Sequence, residues 1–173
     1  QTASTAPARY WVRDGPAFNS ETWERRSPIA NFGVRMPADE SGASGGRAMI
    51  FRQLFDSVSC TYTYLIASRK GGEALIIDSV LDKIDRYIQL LGELDLKLVK
   101  AVDTHVHADH ITGLGALRDR TRCVTVMGEQ SGVDVVSMRV GDGDPIEIEG
   151  LSLTALHTPG HTDDSYCFPL ADR

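Results

Sequence analysis

Histidines are the residues with the clearest chemical potential, and all five fall in one third of the chain: His105, His107, His110, His157 and His161. Three stand in the run Thr104-His105-Val106-His107-Ala108-Asp109-His110, which places four metal-binding side chains in six residues. In an extended segment residues i and i+2 share a face, so His105 and His107 can point the same way. Asp109 and His110 follow where the chain turns onward. Imidazole nitrogen suits Zn, Fe, Cu and Ni, and a carboxylate adds affinity for harder ions. A second run, Leu156-His157-Thr158-Pro159-Gly160-His161-Thr162, has a Pro-Gly turn able to aim His161 sideways into a site. A lone histidine is more often solvated or bonded to a carbonyl, but the spacing of the first run makes that the weaker reading, and His161 gains weight beside it. His157, at a strand end, reads as a supporting or solvated residue. Asp78, at the end of an apolar strand, reads either as a turn residue or as a hydrogen-bond partner that holds the metal loop.

The elements that position these residues begin at Met49. The pattern predicts strands over Met49–Leu54, Thr61–Ser68 and Glu73–Asp78. A helix follows from about Val80 to Glu93, with Leu81, Ile84, Ile88 and Leu91 on one face. Ser79, with Asp82 three residues on, resembles a capping-box start, and Asp82 can pair with Arg86 on the wet side. Leu96–Thr104 is the strand expected to deliver the first histidine run, and Gly113–Arg120 a short helix after it. Cys123–Met127 and Ser137–Val140 read as strands, Ile146–Ile148 with Leu151–Leu156 as a hairpin, and Ser165–Leu170 as one strand more. Strands outnumber helices, so the fold class is α/β or α+β with a largely mixed sheet.

Composition bounds the function. The 173 residues are 42% hydrophobic and 24% charged, which suits a globular domain with a sizeable core. A formal net charge of −6 argues against nucleic acid or an anionic membrane surface as the main partner. No apolar run is long enough to predict a membrane span. Cys60, Cys123 and Cys167 form no CxxC pair and read as reduced, mostly buried thiols in a cytoplasmic protein. Residues 1–48 hold four of the seven prolines and both tryptophans, with a Ser/Gly-rich run from Ser41 to Gly46. They read as a poorly ordered extension, and residues 49–173 as the domain. The extension lacks the apolar stretch of a secretory signal. Its arginines leave a mitochondrial presequence open, while Asp14, Glu21, Glu24, Asp39 and Glu40 count against one.

Thr-His-x-His-x-Asp-His followed by a Thr-Pro-Gly-His loop resembles the metallo-β-lactamase superfamily, over Met49 to Arg173. The resemblance implies an αββα sandwich with metals at one edge of its two sheets, this chain supplying mainly the N-terminal half. Within the superfamily, three segments resemble the persulfide dioxygenases, also called sulfur dioxygenases. They are Met49 to Asp56, Thr61 to Leu65, and His105 to Gly113 with Ala108 before Asp109 and Thr112-Gly113 after His110. Glyoxalase II and the lactamases more often carry Gly-Gly in that last place. Ser79 departs from the family, where a proline is common.

The resemblance to persulfide dioxygenases implies one Fe(II) held by His105, His161 and an aspartate of a Thr-Gly-Asp segment beyond the His161 loop. No such segment precedes Arg173, so the chain reads as a fragment cut at its C-terminus, lacking most glutathione contacts. The same resemblance puts His107, Asp109 and His110 beside the metal rather than on it. In the dinuclear hydrolases of the superfamily, His107 would join the first metal and Asp109 with His110 would hold a second. The implied activity is oxidation of glutathione persulfide by O2 to sulfite and glutathione, with both reactants gathered on the iron and no catalytic cysteine. The alternative is a glyoxalase II-like thioester hydrolase with one or two Zn(II) ions. A third reading, different in kind, is a half-domain that is inactive as given. A homodimer stays open.

Overall fold

The computed structural model describes residues 49–170; the N-terminal extension expected over residues 1–48 lies outside the described residues, as do residues 171–173. Strands β1 (Ile50–Asp56) and β2 (Thr61–Ala67) form an antiparallel hairpin that sets Asp56 opposite Thr61. Asp56 closes the turn by accepting the Ser59 amide at 3.1 Å and the Ser59 hydroxyl at 2.7 Å. β3 (Glu73–Ile77) pairs antiparallel with β2, and β4 (Lys97–Val102), β5 (Val124–Gly128) and β6 (Met138–Val140) continue in parallel. The result is a six-stranded mixed sheet in the order β1-β2-β3-β4-β5-β6. Parallel neighbours need crossover connections. Helices α1 (Ile84–Glu93) and α2 (Leu114–Thr121) supply the first two.

The central strands are apolar on both sides because both sides are covered. Along β3, Ala74 and Ile76 pack with Ile84, Tyr87, Leu90, Leu91, Leu114 and Leu117 of the helices. Leu75 and Ile77 face the other layer and meet Ile146, Ile148, Leu153, Tyr166 and Phe168. That layer is made of the hairpin β7 (Pro145–Ile148) and β8 (Leu151–Thr154), with the short pair β9 (Leu156–His157) and β10 (Tyr166–Cys167). Each fully buried Leu, Ile or Val side chain contributes about 1.5–3 kcal/mol. Helices on one face and antiparallel strands on the other give the α/β layering expected from the sequence.

Three local expectations are corrected. Leu81–Lys83 forms a single 3-10 turn before α1, and no side chain caps either start. Ser79 is wholly buried and its hydroxyl finds no partner among the described residues, so no capping box forms. The 3-10 turn also shifts the helical phase: Leu81 is 38% exposed, and Tyr87 joins the buried face in its stead. The strand expected over Ser165–Leu170 is two residues long, followed by an isolated bridge between Leu170 and Leu153. All three cysteines are free, Cys60 exposed and Cys123 and Cys167 buried. Among the described residues no helix is long and apolar enough to cross a membrane.

The two layers meet closely at Gly128, where an added Cβ would stand 2.1 Å from Cε2 of the buried Tyr166. Gly128→Ala is therefore expected to cost about 1–3 kcal/mol through overpacking. Urea unfolding reads this as a lowered midpoint; an unchanged midpoint would mean that Tyr166 is not locked there.

Candidate metal centre

β3 ends at Asp78, whose backbone turns left-handed with φ 54°, a conformation that Asp accepts more readily than most residues. The turn is tied down from three sides. The Asp78 amide donates to the Val102 carbonyl at 2.9 Å, and the Thr63 hydroxyl donates to the Asp78 carbonyl at 2.6 Å. Tyr87 of α1 places its hydroxyl 3.0 Å from Thr63 Oγ1 and accepts the Val80 amide at 3.2 Å. So held, the buried Asp78 carboxylate meets the chain leaving β4. It accepts the Thr104 amide at 2.7 Å and the Thr104 hydroxyl at 3.0 Å, and lies 3.2 Å from His107 Nε2. Gly113 closes the far end of the loop, its amide donating a hydrogen bond to the Ser79 carbonyl at 2.7 Å. A Cβ at Gly113 would stand 2.8 Å from the side chains of Ile84 and Ser79, which explains a glycine after Thr112.

The loop brings its imidazoles into a line. Ring centroids of His105 and His107 are 4.2 Å apart, and those of His107 and His110 4.3 Å. His161 meets His105 edge-on at 4.9 Å. His105 is buried, and the side chains of His107 and His110 are only 5% and 4% exposed. His161 is exposed. Asp109 sits at the end of the line, with Oδ1 3.2 Å from His110 Nδ1 and 3.8 Å from His107 Nδ1. Thr61, opening β2, donates its hydroxyl to Asp109 Oδ2 at 3.1 Å and lies 3.2 Å from His110 Nδ1. The ligand atoms of His107, Asp109 and His110 therefore lie within 4.8 Å of one another, as do those of Asp78, Asp103 and His107.

The second loop is stapled from within. His157 Nε2 donates to the Asp163 carbonyl at 2.8 Å, and the Thr158 amide donates to the Ser165 carbonyl at 2.8 Å. His157 packs on Tyr166 with ring centroids 5.3 Å apart, so it closes the loop that carries His161. This loop is bonded to the first at two depths: the Tyr166 amide donates to the Thr104 carbonyl at 2.9 Å, and Asp164 Oδ2 accepts the Val106 amide at 2.8 Å.

Charge is concentrated here. Burial, and then the nearby Asp78 charge, push the pKa of Asp103 up to about 7. Burial alone would lower that of His107, but contact with Asp78 and the charges of Asp78, Asp103 and Asp109 raise it. His110 is lowered by burial and by His107. Burial would raise Asp109, yet its backbone bond, His110 and Thr61 together hold it below the usual carboxylate range. A metal ion fits these residues: His110 Nε2 is buried without a partner, both Asp103 oxygens are buried without one among the described residues, and the donors are the nitrogen and oxygen set that suits Zn or Fe(II).

All the histidines and aspartates singled out in the sequence thus lie in or directly behind one cluster. Sequence reasoning missed Asp103, Thr104, Thr61 and Asp164. An acidic residue at the end of an apolar strand, directly before the first histidine run, was a signal for Asp103. Thr61 and Asp164 act across contacts 48 and 58 residues apart in the chain, and nothing local marks them.

The model of the metallo-beta-lactamase superfamily matches residues 61–133. The described residues have the metallo-β-lactamase fold. Among relatives, it is 42% identical over 132 residues to the mitochondrial persulfide dioxygenase ETHE1 of Mus musculus, covering 76% of this chain and 52% of the relative. It is 42% identical over 141 residues to that of Homo sapiens, covering 81% and 55%. The crystal structure of ETHE1 from Myxococcus xanthus superposes with a TM-score of 0.68 at 50% identity, covering 72% of this chain and 55% of that one. The chain spans about half the length of the curated relatives it matches. Its β-sheet, the two crossover helices and the histidine loop make up the N-terminal half of the metallo-β-lactamase fold.

The raised pKa of Asp103 makes the stability of the metal-free domain depend on pH. Its folded value of about 7 exceeds the unfolded 3.8, so the folded state holds the proton more tightly. The stability tied to that proton is present below the unfolded value and is lost as pH rises through about 7. Asp103→Asn removes the group, so the variant's advantage over the wild type should be larger at pH 8 than at pH 5 in urea unfolding of the metal-free protein. An advantage independent of pH would contradict the assignment.

Proposed function

We propose that the chain is part of a persulfide dioxygenase in which His105 and His161 hold one non-haem Fe(II). The observation that carries this reading is the 42% identity to the mouse and human persulfide dioxygenases over most of the described residues. The edge-on approach of His161 to His105 supports their pairing as ligands. The reaction takes glutathione persulfide, O2 and water to glutathione and sulfite. The S–S bond breaks, the outer sulfur gains three oxygen atoms and gives up four electrons to O2, and glutathione leaves as the thiol. When bound, iron supplies a redox-active Lewis acid able to bring the persulfide sulfur and O2 together.

The chain's own residues position and shield. The Asp78 carboxylate holds the Thr104 amide, and with it the start of the loop, so that His105 leaves the sheet in one direction. Asp78 also keeps His107 turned with Nε2 toward the interior. Thr61 holds Asp109 and His110 at the other end. In this reading those three side chains stand beside the iron and keep a fixed hydrogen-bonded wall there. No protein nucleophile is needed.

A second reading has its own observation. The ligand atoms of His107, Asp109 and His110 lie close enough to share an ion, which favours a dinuclear zinc thioester hydrolase in which a metal-activated water attacks the substrate. Anaerobic loading with Fe(II) of the whole protein of which this chain is part, followed by oxygen uptake with glutathione persulfide, separates the two. We expect one iron per chain, rapid uptake and sulfite as product, with His105→Ala losing both the iron and the uptake. Two zinc ions per chain, D-lactate released from S-lactoylglutathione and no oxygen uptake would overturn the dioxygenase.

A further inference from the structure

We propose that Asp164 is a positioning residue that clasps the two histidine loops together and thereby sets the affinity of the metal centre. The proposal rests on the reading that His105 and His161 share one ion.

Asp164 lies three residues after His161, on a loop that folds back on itself. The Gly160 amide donates to the Thr162 carbonyl at 3.1 Å, and the Ser165 hydroxyl accepts the Thr162 amide at 3.2 Å. From there Asp164 Oδ2 takes the Val106 amide at 2.8 Å. That amide is the peptide link leaving His105, so the carboxylate holds the backbone between His105 and His107. Another bond between the loops, from the Tyr166 amide to the Thr104 carbonyl at 2.9 Å, lies deeper, where β10 begins. The two bonds act at different depths and together fix both the distance and the angle between the loops. With the inner bond alone, the second loop can swing about β10, carrying the exposed His161 with it.

A charged acceptor makes the stronger hydrogen bond, and this one must hold where Val106 is 47% exposed and water competes for the amide. Ligand geometry held by such supporting bonds typically governs metal affinity by about 10–100-fold. In this role Asp164 acts through the backbone, at the Val106 amide.

The test is titration of the full chain with Co(II), followed by visible ligand-field absorption and by competition with a chelator. Asp164→Ala is expected to bind about 10–100-fold more weakly, with a shifted visible band and an unchanged far-UV circular dichroism spectrum. Asp164→Asn retains an oxygen able to accept the Val106 amide, in a weaker neutral bond, and is expected to bind between the wild type and the Ala variant. If Asp164→Ala fails to fold, Asp164→Ser, too short to reach the amide, replaces it with the same expectation. Wild-type affinity in the Ala or Ser variant overturns the clasp, and so does an equal loss in the Asn variant. Wild-type protein that binds no Co(II), or binding indifferent to His105→Ala and His161→Ala, overturns the metal reading itself and the clasp with it.

Discussion

The site depends on one buried carboxylate. Asp78 is 4% exposed, and a buried charge must be paired or hydrogen-bonded to be tolerated. Its partners are the Thr104 amide, the Thr104 hydroxyl and His107, and these partners are the histidine loop itself. The requirement to satisfy Asp78 therefore dictates where the chain goes after β4. The same requirement works back into the fold. Asp78 reaches the loop only because β3 and β4 run parallel and end side by side, and because its left-handed turn is pinned by Thr63 and Tyr87. Strand order, the α1 crossover and the aim of the imidazoles are thus one constraint seen at three scales.

The cluster is poorly balanced without a cation. Asp78, Asp103, Asp109 and Asp164 surround imidazoles of which His107 is drawn toward its charged form and His110 away from it. Asp103 has no hydrogen-bond partner for either oxygen among the described residues. Such an arrangement lowers the stability of the empty domain and raises the gain on binding an ion, because whatever binds the folded state alone stabilises it. Local frustration of this kind at a functional site is offset by the well-packed layers on either side of the sheet. The folded loop then needs little rearrangement to receive its ligand.

Much of this was legible in the sequence, and the limits have physical causes. The histidine run at a strand end was readable because ligand density within six residues is a local property. The strands were readable because the sheet is covered on both faces, so β3 is an apolar run after Glu73, and β2 and β4 end in buried apolar residues. The α1 start was misread because Ser79 and Asp82 have the spacing of a capping box, yet Ser79 is buried beneath Gly113 and unavailable as a cap. That misreading moved the helical phase, so Leu81 was placed inside and Tyr87, which joins the turn at Asp78, was overlooked. Thr61 and Asp164 could not be found at all. Their partners are supplied by tertiary pairing, and a threonine at a strand start or an aspartate after a turn is common everywhere.

The most direct measurement is an anomalous difference map, at the iron edge, from crystals of the anaerobically Fe(II)-loaded protein. The account predicts one peak per chain, within bonding distance of a nitrogen of both His105 and His161, with His107 Nε2 still turned toward Asp78. A peak held by Asp109 and His110 without His161, or a pair of peaks, would contradict it.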